Sequence, residues 1–368
     1  MTELPGSPGS RALAEGARNL LINCAGLEPG ESLLIIREDP ALGWYDRAAP
    51  EAVAREARTL GVRLTLLEVG RPGNEPEPSV AEAIAAHDCT VFFARLGDQD
   101  RFAAPVPGKR SVMSYARDAA MLASAYGRAS HLAFRDLKEA INAVLLGAGR
   151  IEITCPLGTS YAGVVSEADR AAPADVSVLR FPLGVPQPLE GDGFSGRVAV
   201  SRYLTPTGSK VYEPPSLALE STIHAEVEAG RIAGFTGDRH EIARVRAHYE
   251  RVAGQFGIEW DVVHSWHAGI HPASAYSADV AEDPDRWSNT VFTNPRFVHF
   301  HTCGNYAPGE ICWNVLDPSI AIDGVKLWDT GRLRPEAFPQ TKTCLETWPE
   351  LLALFATPSE AIGLPREA

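Results

Sequence analysis

The texture of this 368-residue chain changes near Gly149, and no other feature constrains its fold so strongly. Before that point helical and strand-like segments alternate. Residues 11–25 carry Leu13, Ala17, Leu20 and Leu21 at helical spacing, and the turn EPGE leads into the short apolar run SLLIIRE. A helix opened by Pro50, the strand VRLTLLEV, a helix over 79–87 and the strand CTVFFARL keep the rhythm, and further helices follow near 115–126 and 131–146. This alternation predicts a mostly parallel sheet with helices on its faces. After Gly149 the chain breaks into short runs such as RIEITCPLGTSYAGVV, SVLRF, RVAVSRYLTP, EWDVVHSW, FVHFHTC and SIAIDGVKLWD, separated by Gly, Pro, Asn and Asp. They predict a β-rich domain of hairpins, with EAGR and IDGV as hairpin tips and one helix over about 239–256. The expectation is an α/β protein: an N-terminal βαβ domain over 1–150 with a mostly parallel sheet, and a β-rich catalytic domain over 151–368.

Half of the ten histidines, His264, His267, His271, His299 and His301, fall in the segments VVHSWHAGIHP and FVHFHTCGN. An even spread would put about one there. Their β-branched and aromatic neighbours place them on or beside buried strands, where an imidazole needs a partner. A transition metal is the sharpest reason for such clustering, and acid/base work near neutral pH is another. His299 and His301 are two apart, so on a strand they share one face and can share one metal. His264 ends an apolar strand, where sites are commonly assembled. The spacing is not HExxH, since no Glu follows His264. Nearby carboxylates are Asp261, Asp279, Glu282, Glu310 and Asp317. Glu310 is preferred as acid/base or ligand because its loop follows the HFH strand, and His271 is a second proton shuttle. Cys303 and Cys312 are candidate soft ligands. Arg202 and Lys210, in SRYLTPTGSKVYEPP, are candidates to hold a substrate carboxylate. Trp266, Phe300 and Trp313 are candidate apolar walls. Gly158-Thr159-Ser160 reads as a tight turn or an anion nest.

Several chemistries are excluded. The net charge of −13 argues against nucleic acid and against an anionic membrane surface. There is no GxGxxG after the first strand, no GxSxG elbow and no apolar run of membrane-spanning length. The start lacks a signal-peptide pattern, and six scattered cysteines without a CxxC pair read as reduced thiols. A cytoplasmic enzyme with a small-molecule substrate is the expectation.

Taken together, NLLINCAGLEPGESLLII, GRIEITCPLGTSY, VEAGRIAGFTGD, VVHSWHAGIHPASAY and SIAIDGVKL resemble the superfamily of aminopeptidase T-like metalloaminopeptidases, closest to its 2,5-dihydroxypyridine 5,6-dioxygenase branch. The resemblance runs through most of the chain in order. It implies the two-domain fold, a homodimer and a metal centre. The departures carry information. A metal-ligating glutamate of the peptidases falls at about Ser209 or Lys210, and a lysine beside two metal ions is repulsive. The dioxygenases' first histidine falls near His264, but their later His-x-Asp pair falls on Cys312, Trp313 and Asn314. A metal site here therefore needs replacements, and His299 and His301 on the preceding strand are the candidates.

The resulting expectation is a mononuclear enzyme, with Fe(II) on His264, His299 and His301, acting as a ring-cleaving dioxygenase on a small aromatic or heteroaromatic acid. The alternatives are a Zn(II) hydrolase of an amide or amine-bearing small molecule on the same ligands, and a metal-free descendant using the histidines for acid/base work or binding.

Overall fold

A computed structural model describes residues 8–73, 77–99, 101, 106–171, 176–207, 212–304 and 310–366. The chain divides into two compact units, one made of Met1–Arg135 and Val176–Leu183, the other of Asp136–Asp175 and Gly184–Ala368.

The first unit holds a five-stranded, wholly parallel sheet, in the order Arg63–Val69, Ser32–Glu38, Cys89–Phe93, Arg110–Ser114, Leu179–Phe181. The apolar runs Leu33–Ile36 and Val91–Phe93 are buried, as strands covered on both faces require. Arg63–Val69, at the edge, has only exposed and half-buried positions. The last strand departs from the sequence expectation of one boundary near 150. Leu179–Phe181 pairs parallel with Arg110–Ser114, so residues 176–183 return to the first unit. As a short β run it reads like its neighbours, and only its pairing reveals which sheet it joins.

The second unit contains two antiparallel sheets. One has eight strands, ordered Arg231–Thr236, Ile223–Glu228, Phe194–Val200, Ser160–Gly163, Ile151–Thr154, Ser319–Ile322, Val325–Asp329, Arg332–Leu333. The other has six: Leu217–Ala218, Tyr203–Pro206, Ile311–Leu316, Phe297–Thr302, Val263–Ala268, Leu189–Glu190. The EAGR and IDGV turns close hairpins of the larger sheet. Their central residues sit at positive φ, 45° and 72° for Ala229-Gly230 and 49° and 83° for Asp323-Gly324, as a two-residue turn between twisted strands demands.

The helix Arg239–Phe256 is capped by Asp238, whose side chain accepts from the His240 and Glu241 amides, and ends at left-handed Gly257. Among the described residues four further α-helices, Glu167–Ala171, Pro284–Val291, Pro339–Thr347 and Glu350–Ala356, correct the expectation of a single one. Among the described residues no helix is long and apolar enough to cross a membrane.

Candidate functional site

The site lies on one face of the six-stranded sheet. Its central strands, Phe297–Thr302 and Ile311–Leu316, are buried at every position. Cross-strand partners share a face. His267 is opposite His299, Ser265 opposite His301, His301 opposite Cys312, and His299 opposite Asn314. These side chains therefore line one surface. The alternate residues Trp266, Phe300 and Trp313 form the row on the other side.

Three imidazoles meet there. The ring centres of His267, His299 and His301 form a triangle with sides of 5.4, 5.2 and 5.0 Å. Each ring offers a nitrogen within 4.8 Å of the other two, and all three residues are buried. His267 Nε2 lies 3.2 Å from His301 Nε2. Two lone pairs at that distance repel, so a proton or a metal must lie between them. Metal–nitrogen bonds of about 2.0–2.1 Å put neighbouring ligand nitrogens roughly 3.0–3.4 Å apart in octahedral or tetrahedral geometry. The three-imidazole donor set and the spacing of its His267–His301 pair fit a single first-row transition ion.

Behind the triangle stands Glu310, fully buried. Its Oε1 lies 3.4 Å from His301 Nδ1, and its Oε2 accepts a 2.6 Å hydrogen bond from Thr207 Oγ1. Tyr212 donates to the Glu310 backbone carbonyl at 2.9 Å. At 3.4 Å the two atoms are in charge contact without a hydrogen bond, and a carboxylate on the Nδ1 side favours the tautomer that turns the Nε2 lone pair of His301 inward. Phe292 packs against both His267 and His299, with ring centres 6.0 Å apart in each case. Next to His299, Ser288 donates to Asn314 Oδ1 at 3.0 Å, Thr205 donates to Ser288 at 3.0 Å, and Asn314 Nδ2 reaches Thr205 Oγ1 at 3.2 Å.

The structure brings together His299, His301 and Glu310 and adds His267, which was not among the expected ligands. His264 does not join them. A bulge between Val263 and Ser265 takes His264 out of the register, and its Nδ1 meets Ser265 Oγ at 3.0 Å. Trp266 and Trp313 are not walls of this site. On the opposite face, Trp266 packs on Phe194 and Phe300 on Tyr161, aromatic residues of the eight-stranded sheet. Trp313 packs on Phe300 and donates to Tyr249 Oη at 2.7 Å. His271 is buried in the loop after its strand, where its Nδ1 accepts from the Ala273 amide at 3.3 Å. Arg202 sits on an exposed turn at φ 63°. Lys210 lies outside the described residues. Asp317 is held by Arg296 at 2.6 and 2.8 Å, Asp261 pairs with Arg231, and Asp279 caps the Ala281 amide. Burial pushes the Cys303 thiol up to about 12, which leaves no ready thiolate. Gly158-Thr159 is a structural turn in which Thr159 Oγ1 accepts from the Ala199 amide at 3.0 Å.

By sequence, no protein-family profile and no curated protein matches. Solved structures do. The 2,5-dihydroxypyridine dioxygenase of Pseudomonas putida KT2440 superposes with a TM-score of 0.61 at 12% identity, covering 90% of this chain and 99% of the dioxygenase. The chain has the fold of that dioxygenase. It is also the fold that the sequence resemblance implies. A second structure, AmpT from Thermus thermophilus, superposes with a TM-score of 0.48 at 12% identity, over 88% of this chain and 99% of AmpT.

Proposed function

We propose that this chain is a metal-dependent enzyme of dioxygenase type, holding one metal ion on His267, His299 and His301 and acting on a small aromatic or heteroaromatic acid. The observation that carries this reading is the convergence of three buried imidazoles on one sheet face. When bound, the metal supplies a Lewis-acidic, redox-capable centre with coordination positions left open for substrate.

The chain's own residues do the rest. Glu310, held by Thr207, fixes the His301 ring and aims its Nε2. Phe292 covers two of the rings, offers an apolar surface to a flat substrate and limits water. The Thr205–Ser288–Asn314 network holds the polar side of the same face in one arrangement. The register adds support. The resemblance expects ligands at Cys312 and Asn314, and directly across the strand pair from them stand His301 and His299. The ligand set of this chain is offset by one strand.

A zinc hydrolase is the second reading, favoured by the all-imidazole donor set, which is one zinc uses for catalysis.

Elemental analysis of protein purified without oxygen and without a metal-binding tag tests both. We expect about one metal per chain, lost in His267→Ala and in His299→Ala. Iron with oxygen consumption supports the dioxygenase, and zinc with oxygen-independent turnover supports the hydrolase. Protein that takes up neither Fe(II) nor Zn(II) sinks both.

A further inference from the structure

A second cluster of chemistry-bearing side chains lies in the same unit. Asp169 comes from the helix Glu167–Ala171, Glu190 from the edge strand Leu189–Glu190, and Asp192 from the turn that follows. Each offers a carboxylate oxygen within 4.8 Å of the other two. Clustered acids alone would mean little, but Asp169 is only 8% exposed, and its Oδ2 is shielded from solvent with no hydrogen-bond partner among the described residues. A buried, unsatisfied carboxylate oxygen costs free energy unless something positive meets it.

The surroundings raise that cost. Burial pushes the Asp169 carboxyl up and the charge of Asp192 adds to it, while hydrogen bonds from the Glu190 amide and from Ser166 pull it part of the way back; burial pushes Glu190 up, and Asp169 and Asp192 add to that. The cation beside the cluster, Arg231, is engaged at 3.0 Å by both Asp261 and Glu259. The turn is held firmly. Gly191 donates to the His264 carbonyl at 2.8 Å, and a Cβ at Gly191 would lie 2.2 Å from the Val263 carbonyl oxygen. Close backbone approach thus fixes Glu190 and Asp192 on either side of a glycine that nothing larger can replace. A cavity of ≈ 250 Å³, lined by Glu190, Asp192, Arg231 and His264 among others, adjoins the two carboxylates and leaves room for water ligands.

We propose that Asp169, Glu190 and Asp192 form an oxygen-only site for a hard divalent cation, with calcium as the occupant, separate from the imidazole site. An all-carboxylate donor set selects calcium, magnesium or manganese over the ions imidazole prefers. Carboxylate oxygens up to 4.8 Å apart span opposite sides of an ion with bonds of about 2.4 Å, the calcium distance, whereas magnesium demands a tighter shell. The cation would tie the helix and the turn to the edge of the six-stranded sheet.

Calcium chloride is the probe, titrated calorimetrically into chelator-stripped protein, with melting followed in parallel. We expect one site with a Kd of about 10⁻⁴ M or tighter. Saturating calcium should raise Tm by about 5 °C. Asp169→Asn should weaken binding at least about tenfold while leaving the calcium-free Tm unchanged or higher, because it removes one of three repelling charges. If Asp169→Asn folds poorly, the exposed Asp192→Asn must show the same weakening. His299→Ala should bind calcium as the parent does, which separates this site from the proposed function. No heat and no Tm change at millimolar calcium would overturn the proposal and leave a proton shared among the carboxylates. Equal calcium affinity in parent, Asp169→Asn and Asp192→Asn would overturn it too.

Discussion

The two faces of the six-stranded sheet are made by the same strands and carry opposite chemistry. On one face Ser265, His267, His299, His301 and Asn314 present polar atoms to one another and to Ser288 and Glu310. On the other, Trp266, Phe300 and Trp313 join Tyr161 and Phe194 in an aromatic layer between the two sheets. Both faces are buried. In most antiparallel sheets alternation separates core from solvent. Here it separates core from the candidate site, and the polar face is buried because the segment around Ser288 and Phe292 covers it. A buried polar face is costly unless its members satisfy one another or a ligand.

The largest effect that separates the faces is on stability. Trp266→Ala removes a wholly buried indole from the aromatic layer and should cost about 3–5 kcal/mol, read by denaturant unfolding. Chains that still fold should keep the metal proposed for the imidazole face, since that face is untouched. Loss of metal from the folded Trp266→Ala protein would mean that the two faces are not independent.

A smaller effect probes the polar face alone. Glu310→Gln keeps the shape behind His301 but removes the charge that orients and strengthens its ring as a donor. Metal affinity, measured by competition with a chelator, should fall by about 10–100-fold. Unchanged affinity would reduce Glu310 to a buried packing residue held by Thr207 and Tyr212.

Much of this arrangement was legible in the chain. The βαβ rhythm gave the parallel sheet, and the i, i+2 spacing of His299 and His301 put both on one face, as their register shows. What was illegible depends on pairing. Whether His264 or His267 joins the face of His299 and His301 is decided by a one-residue bulge, and nothing local in VVHSWHAGIHP marks it. The same parity governs Trp266 and Trp313, which sequence proximity placed beside the histidines and the pleat places behind them. The helix Pro284–Val291 was missed although the chain carries its signals: Asp283 caps it, Pro284 opens it, and Trp287 and Val291 lie four apart on its buried face.

The bulge itself yields the smallest expected effect and the sharpest choice of ligands. Val263 pairs with Thr302 and Ser265 with His301, so His264 is the additional residue between two successive partners. It is half-buried, and it borders the cavity shared with Glu190 and Asp192, whereas His267 faces His299. Had the strand no bulge, His264 would alternate with Ser265 in an unbroken register, and a one-residue slip would exchange the faces. His264→Ala should therefore leave the transition-metal stoichiometry unchanged and alter stability by no more than about 0.5 kcal/mol, while His267→Ala empties the site. The reverse pattern, with metal lost on substituting His264 and kept on substituting His267, would place the bulge after His264 and restore the ligand set that strand parity alone suggests.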